Sequence, residues 1–211
     1  MKTIAVAVLA IILMVAGFLG YQKYENFKFI ESLTPHVKNA SLRVANSARY
    51  ESEEGSKITY KEFFEKIESD IQEIDKRLIE IQSISSPKNS STTDPTVAYL
   101  KASQEYLRAL LQKYRRMLKL SNAMDWSRKQ LDELRSATSY AFDYAKKSST
   151  KAIEELGEAE REYNESVPEL AKTVAALKEA RSKIVGVFSE DALIPIAQLD
   201  KVAEKNTPSK K

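Results

Sequence analysis

The 211-residue sequence has no cysteine and one histidine. Without cysteine there is no disulfide framework, no thiolate-ligated zinc, no iron–sulfur cluster and no thiol nucleophile. A single imidazole, His36, excludes every site that needs two. Glycine is scarce too: five in all, with Gly17 and Gly20 in the first twenty residues. The rest of the chain therefore lacks the turn glycines of an all-β domain and the material for a phosphate-binding loop. A net charge of +3, from 33 basic and 30 acidic residues, offers no global field for nucleic acid. G-x-S-x-G, H-E-x-x-H and E-x-x-H are also missing. The expectation is a non-enzymatic protein with no catalytic residue, metal ligand or cofactor, its many carboxylates belonging to solvated helix faces.

What is present begins with Ile4 to Gly20, seventeen uncharged residues. As a helix this run is about 26 Å long, the short end of what spans a hydrocarbon core. Ile4, Val6, Leu9, Ile11, Leu13, Val15, Phe18 and Leu19 are its anchor residues. A cleaved secretory signal is the rival reading, since Lys2 precedes the apolar run, but Val15-Ala16-Gly17 is a poor cleavage site. Tyr21, Lys23, Tyr24 and Phe27 then supply the aromatic and cationic side chains typical of a membrane interface. We expect residues 1–28 to form an uncleaved anchor, contacting the lipid bilayer through residues 4–20. The bulk of the chain would then lie outside the cytoplasm of a bacterial-type cell, attached to the inner membrane.

Residues 29–203 read as helices. Leu33, Val37, Ala40, Val44 and Ala48 recur at three- and four-residue intervals, with Thr34-Pro35 as a cap unless the anchor helix continues through it. Tyr60, Phe63, Phe64, Ile67, Ile71, Ile74, Leu78 and Ile81 form the clearest stripe, and Thr59 with Glu62 fits a capping box. Residues 83–94 are a polar loop. Val97, Leu100, Leu107, Leu111, Tyr114 and Leu118 line a third helix that starts at Thr93-Asp94-Pro95. A turn is expected over residues 121–127, unless one bent helix runs through them, and a long helix follows from Leu131 to Tyr163. The middle of that helix is lined by Ala, Ser and Thr, which predicts a close but weakly held contact.

Ser166-Val167-Pro168 is read as its end, and Leu170, Val174, Leu177, Arg181, Ile184 and Phe188 as the stripe of the last long helix. Residues 204–211 are expected to be a disordered basic tail. Five of the six prolines thus fall at inferred boundaries. The fold expected is all-α: a single transmembrane helix, then an antiparallel bundle of four to five long helices with coiled-coil character.

If the chain reverses near Val167, Glu162 lies level with Lys172 and Glu155 with Lys178. A second charge block, Arg108, Lys113, Arg115, Arg116 and Lys119, reads as a solvated face or, with Trp126, as a contact for a partner. Tyr99, Tyr106, Tyr114, Tyr140 and Tyr144 read as seam tyrosines, or alternatively as the lining of a small-ligand pocket. His36 reads as a surface residue in the first turn of a helix. Three functions follow: an envelope scaffold that binds a helical protein or itself, a ligand-sensing bundle, and a phage-type envelope-disrupting coiled coil. A filled core would favour the scaffold, and an enlarged, partly polar cavity the sensor.

Overall fold

The computed structural model describes residues 2–52, 59–85 and 87–206, with side chains from Val15 onward apart from those of Ser52 and Pro87. Five α-helices account for most of it: α1 (Lys2–Ser52), α2 (Tyr60–Ile84), α3 (Ser90–Ser136), α4 (Phe142–Ile184) and α5 (Ile196–Lys205). Short 3-10 turns stand at Pro87–Asn89 and Glu190–Ala192. Among the described residues there is no strand, only an isolated bridge between Val185 and Phe188. The chain is all-α.

The apolar stripes are buried as their spacing predicts. Leu33, Val37, Ala40, Val44 and Ala48 of α1 meet Phe63, Ile67, Ile74, Leu78 and Ile81 of α2 in one core. Leu100, Leu107, Leu110 and Leu111 of α3 and Leu170, Val174, Leu177 and Ile184 of α4 complete it, and Leu199 and Val202 of α5 close one side. Helix α2 starts on a full capping box: the Glu62 amide donates to Thr59 Oγ1 at 3.3 Å and the Thr59 amide to Glu62 Oε2 at 2.8 Å. Those bonds hold the Glu62 carboxyl below its ordinary range.

The boundaries read at Pro95 and Pro168 are corrected, and at Pro35 the alternative holds, the first helix continuing through it. Pro35, Pro95 and Pro168 all lie inside helices. An interior proline removes one amide donor and leaves the carbonyl four residues earlier without it. Near each proline, the hydroxyl read as a cap turns back onto a carbonyl instead. Thr34 Oγ1 donates to Ile30 O at 2.9 Å, Thr93 Oγ1 to Asn89 O at 3.0 Å, and Ser166 Oγ to Tyr163 O at 2.6 Å. A hydroxyl beside a proline serves a helix start or a helix interior equally well. The apolar stripe on either side decides which.

The turn expected over residues 121–127 is likewise absent, because α3 runs through it to Ser136. The reversal lies at residues 137–141, where the Ala141 amide donates to Thr138 O at 3.0 Å and the Ala145 amide to Ala141 O at 3.0 Å. Leu131 and Leu134 thus belong to α3, and α4 continues past Pro168 to Ile184. It ends on Gly186, whose φ of 88° is the only positive value among the described residues. There the Val187 and Phe188 amides both return to Ile184 O. With Val185 at φ −61° and ψ 130°, residues 184–187 form a type II turn whose third position needs glycine, and it turns Phe188 into the core rather than along a helix.

Contacts between helices fix the directions. Ser41 meets Tyr99 and Glu51 meets Lys113, so α1 and α3 advance in parallel. His36 faces Glu80 and Lys66 faces Tyr50, so α2 runs against them. Lys119 meets Glu162 and Gln130 meets Ser148, so α4 is antiparallel to α3. Two consequences follow. Helix α1 enters the core at Phe29 and Ile30, and its earlier residues extend from one end of the bundle. The far half of α3 and the near half of α4 form a two-helix arm at the opposite end.

Candidate functional surfaces

Of the anchor residues, Ile4, Val6, Leu9, Ile11 and Leu13 lie outside the described side chains. Val15, Phe18 and Leu19 are 53%, 60% and 51% exposed, and nothing packs within 4 Å of a side chain's first carbon at Gly17 or Gly20. Tyr21, Tyr24 and Phe27 are exposed as well, with Lys28 Nζ 5.0 Å from the Tyr24 ring centre. From Val15 to Lys28 every described side chain of α1 is therefore exposed: an uncharged segment to Gly20, then a mixed aromatic and charged one. Among the described residues, no helix is long and apolar enough to cross a membrane.

The basic block on α3 is not an open cationic face. Arg108 pairs with Glu105, Arg115 with Glu68, Arg116 with Glu169, and Lys119 with Glu162 at 2.8 Å. Because α4 runs on to Ile184, the acid run of that helix lies along α3, and Glu162 and Glu155 do not meet Lys172 and Lys178. Lys119 accordingly holds the Glu162 carboxyl below its ordinary range. Lys178 instead binds Asp200 of α5 at 2.6 Å. Trp126 stands half-buried in mid-helix on the arm, not at a turn.

Lys113 has the most unexpected place. It is buried, with Nζ 2.5 Å from Glu51 Oε1 and 2.7 Å from Asn206 Oδ1. Asn206 Nδ2 donates both to Glu51 Oε1 and to Val202 O, while Lys205 Nζ donates to the Glu51 carbonyl at 2.6 Å. Asn206 follows α5 directly, so residues 204–206, assigned above to the tail, are fastened to the bundle. Residues 207–211 lie outside those described. This polar node joins the ends of α1 and α5 to the middle of α3, beside an otherwise apolar core.

The tyrosines do not form one site. Tyr99 is fully buried, shares a hydrogen bond with Ser41 Oγ at 2.8 Å and accepts one from the Ile194 amide at 3.4 Å. Tyr106 is fully buried two turns before Lys113 on α3, and burial raises its hydroxyl well above the ordinary range. Tyr114 packs on Phe63, with ring centres 4.5 Å apart, and is raised first by burial and then by Glu51. Their surroundings are filled by leucine and isoleucine. Tyr140 and Tyr144 stand far away at the arm tip, 100% and 80% exposed, with Phe142 between them.

Two functional features escaped the spacing argument. Arg181, a charged member of an otherwise apolar stripe, donates from Nε to Ile194 O at 2.8 Å and pairs its guanidinium with Glu190, clamping the segment after α4. His36 sits in mid-helix, half-buried on the α1–α2 seam with Nδ1 3.3 Å from Glu80, and burial lowers its pKa. The arm seam itself is made of Ser127, Gln130, Ala145, Ser149, Ala152 and Ala159, the close small-residue contact that the sequence predicts. Compared with known proteins, the chain matches no family model, and no curated protein or solved structure is significantly similar to it.

Proposed function

We propose that this protein is a non-enzymatic, membrane-anchored scaffold of the cell envelope, with its bundle on the outer side of a bacterial-type inner membrane. The observation that carries the reading is the unpaired stalk of α1. Val15, Phe18 and Leu19, spaced i, i+3 and i+4, lie exposed along one face of it, with Ala16, Gly17 and Gly20 exposed beside them, and they continue the uncharged run that starts at Ile4. In water, such a surface carries an unfavourable hydration cost of ~25 cal/mol per Å² of apolar area, which lipid removes. The collar of Tyr21, Lys23, Tyr24, Phe27 and Lys28 fits the headgroup layer. Helix α1 then passes without a break into the core, so the anchor is mechanically part of the bundle. The filled core favours the scaffold over the ligand sensor. Its partner would be a helical protein or a second copy.

Carbonate extraction of membranes from cells expressing the full chain tests this, together with protease treatment of spheroplasts. The protein should stay in the pellet, retain Met1–Gly20 by mass spectrometry, and be digested by external protease. Recovery in the soluble fraction, or protection in intact spheroplasts, would overturn the reading.

A further inference from the structure

The arm tip carries a second apolar feature that the scaffold reading does not use. Tyr140, Phe142 and Tyr144 fall within five residues at the reversal from α3 to α4, all exposed and none stacked on another ring. Lys146 and Lys147 follow on α4, both exposed and in no ion pair among the described residues. Asp143 lies in the first turn of α4, where a carboxylate complements the helix N-terminus. Nearest them, Arg135 is bound to Asp132 and Lys151 to Glu155, whereas Arg128 and Lys129, farther down the arm on α3, are also exposed and in no ion pair among the described residues.

We propose that this tip is a membrane-interface binding site, specific for a bilayer surface containing anionic phospholipid. Three arguments select that occupant. The side chains are of the interfacial type: two tyrosine rings with a polar edge and one apolar phenylalanine ring, beside unpaired lysines able to reach phosphate. The patch is also small. Even with all three rings covered, at ~150–250 Å² each, it stays below the ~800 Å² per partner of a specific protein interface. Finally, the tip is the end of a two-helix arm, with nothing beside it that would enlarge a protein contact.

The position gives the site a consequence. Tyr21 to Glu51 is thirty residues of α1, and Lys113, which Glu51 touches, lies twenty-three residues before Ser136 on a parallel helix. At ~1.5 Å per residue the tip stands about 80 Å from the stalk collar. With the stalk in one bilayer, which rests on the proposed anchor, the tip meets a second bilayer facing the first.

Proteoliposomes carrying the full chain are mixed with fluorescent protein-free vesicles of phosphatidylethanolamine, with and without phosphatidylglycerol, and docking is counted. Wild type should dock the phosphatidylglycerol vesicles, and added salt should weaken docking. The triple variant Tyr140→Ser, Phe142→Ser, Tyr144→Ser should lose it by about tenfold or more, because each ring removed from lipid shifts the equilibrium severalfold. Lys146→Glu with Lys147→Glu should abolish the preference for anionic lipid. Circular dichroism checks that the variants keep their helices. Absence of docking by wild type, equal docking by the triple variant, or docking only when both vesicle populations carry protein would overturn the proposal, the last outcome identifying a second copy as the occupant. Carbonate stripping of the same proteoliposomes reads the anchor separately. A stripped chain that still floats with fresh vesicles through its tip would refute the anchor and leave the tip site standing.

Discussion

The buried node at Glu51, Lys113 and Asn206 gives the sharpest quantitative test of this architecture. Replacing Lys113 with Met keeps most of the side-chain volume but leaves the Glu51 carboxylate, 1% exposed, without its cation. Breaking a buried pair from one side costs about 3–5 kcal/mol, because the remaining charge stays desolvated. For a chain of this size each kcal/mol shifts the melting temperature by ~2–4 °C. Lys113→Met should therefore lower it by about 6–20 °C, read by circular dichroism at 222 nm. The diagnostic is the double variant: adding Glu51→Gln removes the stranded charge while keeping the shape, and should recover at least about half of the loss. The two substitutions touch one another, so they should be strongly non-additive in a double-mutant cycle. If Lys113→Met lowers stability by less than about 1 kcal/mol, the range of exposed ion pairs, or if Glu51→Gln adds its own loss in full, the node is not dry. The fastening of α5 onto α1 and α3 would then have to be abandoned.

Other expectations follow from single positions. Gly186→Ala meets no steric obstacle but forces a side chain to adopt φ 88°, so it should cost about 1–2 kcal/mol in a urea titration, and a neutral result would mean α4 ends differently. His36 has a lowered folded-state pKa, so the unfolded chain binds its proton first; stability is full above the unfolded value near 6.5 and falls as pH drops from there toward the folded value. The drop in melting temperature between pH 7.5 and pH 5.5 should accordingly be smaller in His36→Gln than in wild type. Amide hydrogen exchange should be faster in residues 127–134 and 145–156 than in residues 99–111, because the arm seam buries alanine and serine where the bundle buries leucine and tyrosine; equal protection would remove the distinction between arm and bundle.

The stripes of α1 and α2 are legible residue by residue, and so is the Thr59–Glu62 box, because period and capping are local properties of the sequence. Proline positions mislead for an equally local reason. Thr34 and Ser166 offer hydroxyls that serve a start or an interior, and only the packing of the following turns selects between them. The reversal at residues 137–141 is hidden because it uses Ala137, Thr138, Ser139, Tyr140 and Ala141, with neither glycine nor proline to mark it. One long-range signal does point to it. The cations Arg116 and Lys119 and the acids Glu162 and Glu169 are best matched when the chain folds back near residue 140, since opposed residues on antiparallel helices keep a constant sum of positions. Choosing the turn by charge complementarity rather than by breaker residues would have placed the arm. Lys113 would still be missed, because nothing local distinguishes a lysine on a solvated face from one whose partners are Glu51 and Asn206, from distant parts of the chain.

Helical continuity across the prolines bears directly on function. A turn at Thr34-Pro35 would hinge the stalk against the bundle, and the orientation of one would carry no information about the other. In a single helix from Lys2 to Ser52, the stalk and the stripe from Leu33 to Ala48 are joined by unbroken helical backbone rather than by a loop. The cost of interior Pro35 is limited because it faces solvent, and the Thr34 hydroxyl ties the same turn to Ile30 O. The same logic extends to Pro168, exposed where α4 passes from the arm into the core. The chain therefore retains stiffness at both junctions where a tether would otherwise bend. The compliant part is left to the alanine seam between residues 145 and 159, close to the tip. Fixed direction at the base with weak packing near the end suits an arm that must find a surface at a set distance, rather than one held permanently against its own bundle.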